Sequence, residues 1–512
     1  GRRIGCTICY AHPSWYAAHG YLVVVQDSRG RGTSEGSFRF GEHDAVDGAA
    51  AIEWAARLEG STGAVGMYGF SYQAYNQLMA AAAAGPALKA LAPAMFSWDA
   101  RAHWAFENGA FRFGSNLGWA TQIAAETARH GGDEAAFAEL YSAARHLPLH
   151  EAVACRPALM ERHRALTHYL RWLETPAQDP YWAEISPAAK LDAIVARRLP
   201  MLLIGGWYDS HFRGTLAAWH DLAARQAASM RFVVGPWIHF PWDRRSGGRD
   251  FGAAAGRSMD ALQIRWFDHW LKGIDNGVMD EPAVELFDLG ARRWRGFAGW
   301  PAETQNLHLG GNGAASIDVS DGTLSPAPPA AVGCEHLVHD PWRPAPSLGG
   351  GGGSPPGAID RALVDARGDV LTFTTAPAAA PLSFAGDVVA QLTVDSDAAS
   401  FDLACRLSLV TLSGQVVPLT DGYATIAAPA ANPIEIPMCA TCVTVAVGEA
   451  LRLSVAGASF PAFAVNPGTG EDPCATPTAR ARVITLMLRH GAGVTSLLRI
   501  GATGQPISER NA

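Results

Sequence analysis

Apolar runs and helix-forming stretches alternate through the first hundred residues, and no other feature restricts the fold as much. "YLVVVQ" (21–26) is a continuous β-branched run, the pattern of a strand buried on both faces. After the Gly- and Ser-rich turn "DSRGRGTSEGS" comes "HDAVDGAAAIEWAARL", with Val46, Ile52 and Ala55 at helical spacing and acidic residues in its first turn. A second strand, "GAVGMYGF", leads through Ser71 into the helix "YQAYNQLMAAAAA", which Gly85-Pro86 stops. "LKALAPAM" is the next strand. This β-α-β-α-β order demands a parallel sheet with helices on both faces, the α/β class.

The rhythm stops near Trp98. Residues 100–195 are rich in Ala, Glu, Arg and His at helical spacing, with little strand signal. A buried strand returns at "RRLPMLLIGGWYD", followed by helix "RGTLAAWHDLAARQA", strand "MRFVVGPWIH" and helix "SMDALQIRWFDHWLKG". A helical insertion therefore interrupts the sheet, in the position of a cap. After about 280, short β-type runs alternate with Pro and Gly turns, as in an antiparallel sandwich or jelly roll. The expected organisation is a first sheet part over 1–99, a cap over 100–195, a second sheet part over 196–280 and a β-sandwich over 281–512. "PAPSLGGGGGSPPG" (344–357) reads as a flexible surface loop.

Ser71 gains meaning from residues later in the chain. A serine nucleophile needs a base for its proton and a carboxylate to orient that base. In a sheet of this kind these sit at later strand ends in the order Ser, acid, His. "MLLIGGWYD" ends in Asp209 and "RFVVGPWIH" in His239. The 30 positions between them fit one helix and one strand, and the cap explains the 138 positions from Ser71 to Asp209. Singly, Ser71 is one serine of many, Asp209 a helix cap and His239 one of 17 histidines; jointly they spell a hydrolase. The backbone N–H of Tyr72, at a helix start, is the natural first donor to an oxyanion.

Composition excludes other classes. A net charge of −8 argues against nucleic acid or an anionic membrane as partner. The longest bland run, "LMAAAAAGPALKALAPAM", is broken by Gly85, Pro86 and Lys89, short of a membrane span. Cys6-x-x-Cys9 and Cys439-x-x-Cys442 lack the further ligands of a zinc site, so reduced thiols and no metal or cofactor are expected. No signal peptide is visible, which favours the cytoplasm, although the chain opens on Gly1-Arg2-Arg3 without Met.

"VVVQDSRGRGTSEG", "GAVGMYGFSY", "PMLLIGGWYD", "VVGPWIH", "WFDHWLKGIDNG", "RRWRGFAGWP" and "RGDVLTFTT" together resemble the cocaine esterase / X-Pro dipeptidyl-peptidase-like serine hydrolases, the CocE/NonD group. The resemblance implies an α/β-hydrolase domain, an inserted helical cap and a C-terminal jelly roll of the galactose-binding-like type. It also implies acyl-enzyme chemistry on esters or amides, with Ser71 as nucleophile, His239 as base and Asp209 as orienting acid. Two departures stand out. The group places a Tyr hydroxyl in the oxyanion hole on a loop whose following residues Gly1-Arg2-Arg3 resemble, so leading strands before residue 1 are implied, and Tyr10 is out of register. The usual Gly ending the serine turn is Ala74, still small enough for helix and strand to approach.

Substrate preference is weighed from the neighbours. Relatives acting on α-amino acid esters carry acidic residues just beyond the acid, whereas Asp209 is followed by Ser210, His211 and Phe212; only Glu107 at the cap start offers a charge for an ammonium. Trp207, Tyr208, Trp237 and Trp242 are candidates for an aromatic substrate wall, or else pack sheet against cap. His211 stands on the acid's strand end and is not the expected base. Asp27, Arg29 and Glu35 are read as an ion-paired loop near the cap. The favoured activity is that of an esterase or acylase; an X-Pro dipeptidyl-peptidase or α-amino acid ester hydrolase is the runner-up, and a carbohydrate-binding β-sandwich protein the non-enzymatic rival. Expected partners are a small ester or amide and, at most, a second copy of the chain.

Overall fold

The computed structural model describes residues 9–226, 229–502 and 507–510. Cys6 lies outside them, and the described cysteines are free thiols.

Six strands build the sheet that carries the candidate site: β1 (Val65–Phe70), β2 (Leu88–Ala94), β3 (Met201–Tyr208), β4 (Met230–Ile238), β5 (Val284–Asp288) and β6 (Arg293–Phe297). They lie side by side in chain order, and a seventh strand at Ser508–Arg510 closes the far edge. Pairing is parallel from β1 to β5, and β6 returns antiparallel. Every residue of β3 is buried, and so is all of β4 except Ile238, as two-sided helical cover requires. Helices Tyr72–Ala83, Phe212–Gln226 and Met259–Lys272 supply that cover. The last is closed at both ends: the Ser258 side chain accepts from the Ala261 N–H, and Gly273 ends it in the left-handed conformation.

Three expectations change here. Residues 21–26 form no strand: they join no ladder, and Leu22, Val24 and Val25 are 54%, 41% and 51% exposed. β-branching favours extended backbone, but a strand exists only where a neighbour supplies hydrogen bonds. In the helix Asp44–Ala56, Ile52 is buried as expected, whereas Val46 points to solvent at 70% exposure. Residues 284–297 pair with the first sheet, so the change of sheet follows Phe297 rather than residue 280.

Residues 113–143 form two packed helices, Phe113–His130 and Glu134–Ala143, and shorter helical turns continue to Ala196. Their apolar core draws in Phe40 from earlier in the chain and Ala464 and Cys474 from the C-terminal half. A hairpin that the sequence did not announce, Phe106–Glu107 with Ala110–Phe111, turns at Asn108 and Gly109, both with positive φ. Its tip docks onto the second sheet: Asn108 donates to the Tyr423 carbonyl at 2.8 Å, and Glu107 accepts from the Tyr423 N–H at 3.1 Å. That second sheet is eleven-stranded and almost wholly antiparallel, its sole parallel pair among the described residues being Thr323–Ser325 with Val370–Thr375.

The Gly-rich stretch is not a free surface loop. Gly349, Gly350 and Gly357 are buried, Gly350 and Gly357 exchange backbone hydrogen bonds of 2.8 and 2.9 Å, and all three have positive φ. A Cβ on Gly351 would stand 3.1 Å from the Asp209 carbonyl, so the run is packed against the end of β3. Glycine serves close approach here rather than mobility. The Asp27 loop also differs. Arg29 pairs with Asp47, while Asp27 accepts from the Thr33 N–H and hydroxyl.

Candidate active site

Ser71 follows β1 and caps the helix Tyr72–Ala83 with φ 58° and ψ −129°, a conformation strained for a residue with a side chain. Its own amide is tied to the Ala94 carbonyl at 2.9 Å, which fixes the turn. The turn is tight: a Cβ on Gly69 would lie 2.6 Å from that of Gln73, and Ala74 is fully buried. Strand-to-helix reversal at this angle lifts the hydroxyl above the sheet edge.

The other two groups owe their placement to register. β3 and β4 pair in step from Met201 with Met230 to Gly206 with Gly235, and the register then slips so that Tyr208 faces Ile238. The following residues, Asp209 and His239, therefore leave the sheet side by side. Asp209 Oδ1 and His239 Nδ1 are 2.8 Å apart, and His239 Nε2 is 2.9 Å from Ser71 Oγ. Residues 71, 209 and 239 thus form one hydrogen-bonded relay. Gly206 is required beneath it, because a Cβ there would sit 2.4 Å from the Trp237 carbonyl.

Asp209 is 3% exposed. Burial pushes its pKa up, but the facing His239 charge and hydrogen bond outweigh burial and hold it below the ordinary value. His239 retains 26% side-chain exposure and so stays reachable by a reactant. His211 stacks on it at 4.6 Å and 17°, with Nδ1 2.9 Å from Ser210 Oγ and 3.9 Å from Asp209 Oδ1. Burial and the neighbouring imidazole push His211 down to about 3, so it stands neutral beside the relay. Among the described residues, Asp209, His211 and His239 are the only three that bring ligand-type atoms within 4.8 Å of one another. Two of them, Asp209 Oδ1 and His239 Nδ1, are hydrogen-bonded to each other.

Tyr72 opens its helix, so its N–H has no intrahelical acceptor. Its hydroxyl is bonded to Asp44, whose pKa burial raises to about 6. Around it stand Phe38, Phe40 and Trp119, an aromatic wall contributed by the helix Phe113–His130 and the segment before Asp44. The expected wall is mostly core instead. Trp207 donates to the Phe287 carbonyl and Trp237 to the Ala255 carbonyl, and both are buried in the sheet. Trp242 donates to the Cys9 carbonyl and packs on Trp237. Only Tyr208 of the four lines the cavity of about 240 Å³ that reaches His239, and its hydroxyl is held by the Pro418 carbonyl. Glu107 is unavailable to an ammonium, being 5% exposed and paired with Arg213 at 2.7 Å. Arg112 and Gly351–Gly353, which line the same cavity, were not legible as site residues: nothing in their spacing links them to Ser71.

Residues 4–241 match the family model for X-Pro dipeptidyl-peptidases of the S15 family, and residues 276–494 match that family's C-terminal non-catalytic domain. Cocaine esterase of Rhodococcus sp. (strain MB1 Bresler) is 30% identical over 489 residues, covering 89% of this chain and 83% of the relative. The chain belongs to the cocaine esterase / X-Pro dipeptidyl-peptidase (S15) family. As a member it is a serine hydrolase acting on esters or amides. The S15 fold also recurs in solved structures at lower identity. An aminopeptidase from a marine-sediment Thaumarchaeota archaeon superposes with a TM-score of 0.77 at 22% identity, covering 95% of this chain and 86% of that one. An α-amino acid ester hydrolase gives 0.75 at 21%, with the same coverage. Among the described residues, no helix of this family member is long and apolar enough to cross a membrane.

Proposed function

We propose that Ser71 is the nucleophile, His239 the general base and Asp209 its orienting acid in an esterase or acylase. The observation that carries this reading is the relay of 2.9 and 2.8 Å from Ser71 Oγ through the imidazole to Asp209. Ser71 Oγ attacks the substrate carbonyl carbon while His239 Nε2 takes its proton, and Asp209 stabilises the imidazolium through Nδ1–H. The negative charge on the former carbonyl oxygen is met by the Tyr72 N–H. His239 then returns the proton to the departing oxygen or nitrogen, leaving an acyl group on Ser71. Water, deprotonated by the same imidazole, releases the acid. No metal or organic cofactor enters this scheme.

The C-terminal half is read as a jelly roll of the galactose-binding-like type, an assignment favoured by its antiparallel ladders. The chain then divides into a hydrolase domain interrupted by a cap over about 100–195 and a β-domain after Phe297. A dipeptidyl-peptidase would need an acceptor for a free ammonium; the engagement of Glu107 by Arg213 favours the esterase over it. Fluorophosphonate labelling followed by mass spectrometry tests the assignment. The adduct is expected on Ser71 and absent from Ser71→Ala. An unlabelled protein with intact fold would support the carbohydrate-binding alternative, and release of X-Pro from p-nitroanilides without p-nitrophenyl ester turnover would support the peptidase.

A further inference from the structure

Arg112 caps the helix Phe113–His130 and is 7% exposed. It borders the 240 Å³ cavity that also contacts His239, Tyr208 and Gly352. Nη1 donates to the Ser210 carbonyl at 2.7 Å, and a Cβ on Gly352 would meet Nη2 at 3.8 Å, so the guanidinium lies between the end of β3 and the Gly-rich loop. Among the described residues no carboxylate comes within ion-pair distance of it. The acidic groups nearby are already matched: Glu107 with Arg213 at 2.7 Å, Asp421 with Arg406 at 3.2 Å, and Asp209 with His239. Desolvating a guanidinium without a counter-charge is costly, and a bound anion offsets that cost. The same cavity is lined by Ser115 from the first turn of that helix, where the helix dipole adds positive potential.

We propose that this cavity binds a carboxylate of the substrate, with Arg112 as its receptor, so that the preferred substrates are esters or amides that themselves carry an acid group. The inference rests on the hydrolase reading above, since the cavity reaches the imidazole that serves Ser71. It gives the site a preference opposite in charge to ammonium recognition. A guanidinium holding a carboxylate by charge-assisted hydrogen bonds discriminates strongly against a neutral isostere.

The carboxylate can sit on either side of the scissile bond, and two substrate pairs separate these sources. 4-Nitrophenyl hydrogen glutarate against its terminal amide tests the acyl side; 3-acetoxybenzoate against 3-acetoxybenzamide tests the leaving-group side. In at least one pair the wild type is expected to favour the acid in kcat/KM by about tenfold or more. Arg112→Gln should bring that ratio to about one, and Arg112→Lys should keep part of it. Ratios at or below one in both wild-type pairs would overturn the proposal, as would a ratio unchanged in a folded Arg112→Gln. If Arg112→Gln does not fold, the wild-type ratios and Arg112→Lys decide. Failure of the hydrolase reading looks different: no ester is turned over and Ser71 is not labelled. In that case calorimetric titration of glutarate into the wild type and Arg112→Gln still reads the site. Binding by the wild type alone supports it, and binding by neither overturns it.

Discussion

Asp209 and Asp402 are both buried aspartates, 3% and 1% exposed, yet their surroundings move their pKa values in opposite directions. Asp209 faces an imidazole that can become a cation, and its pKa is lowered despite burial. Asp402, within the second sheet, is met by the Tyr423 hydroxyl and the Asn466 amide, neutral donors that only partly offset burial, and its pKa rises to about 6. Ser400 extends that network through Asn466. One carboxylate thus has a titratable neighbour that opens onto a cavity, while the other is closed in among neutral donors. Burial alone does not mark a functional acid; the kind of partner and its access to a reactant do.

Substitutions should separate the two regions. The largest effect is expected at Ser71: Ser71→Ala should lower kcat by roughly 10³-fold or more with the melting temperature nearly unchanged, measured on p-nitrophenyl esters. Asp209→Asn should cost on the order of 10²–10⁴ in kcat, since the amide no longer stabilises an imidazolium. Asp402→Ala should do the reverse, removing about 1–3 kcal/mol of stability in denaturant titration by leaving the Tyr423 hydroxyl and the Asn466 amide N–H without their acceptor, with kcat of the folded protein preserved. Loss of kcat in Asp402→Ala without unfolding would collapse the contrast.

Acid should sharpen it. Burial holds His103, His168 and His339 down to about 4 and His211 to about 3, so the unfolded chain takes up protons from its ordinary value near 6.5 downward while the folded one does not. Their contribution is complete above that value and drains away as pH falls toward 4. Asp402 and Asp44, both raised to about 6, and Asp365, also raised by burial, act in the other direction, adding stability as they protonate. Four histidines outweigh three aspartates, so the melting temperature should fall between pH 6.5 and 4, and His339→Gln, far from the relay, should flatten the slope. A melting temperature that rises over this interval would show that the aspartates dominate. The smallest effect is expected for Trp242→Phe, which removes one hydrogen bond to the Cys9 carbonyl and should cost about 1 kcal/mol.

The relay was legible because each member follows a run whose hydropathy marks a strand, and parallel strands present their ends on one edge. The misreadings share a cause. "YLVVVQ" has the composition of a central strand, but pairing depends on a neighbour that composition does not report. Trp207 and Trp237 are close to the acid and the base in sequence, yet their indole N–H groups are taken by the Phe287 and Ala255 carbonyls and both rings are buried in the core. The five consecutive glycines look unstructured by composition, though their missing side chains let the loop lie against Asp209. Arg112 carried no motif.

Local sequence alone decided the strand-and-helix alternation, the strained turn at residue 71 and the strand ends at 209 and 239, because these follow from side-chain volume, branching and spacing along the backbone. Tertiary structure decided which carboxylates are neutralised, which guanidinium is left without a counter-charge, and that a glycine loop more than a hundred residues downstream walls the cavity. Those outcomes depend on distances between groups remote in sequence, and electrostatic energy and solvent exclusion are set by such distances rather than by order along the chain.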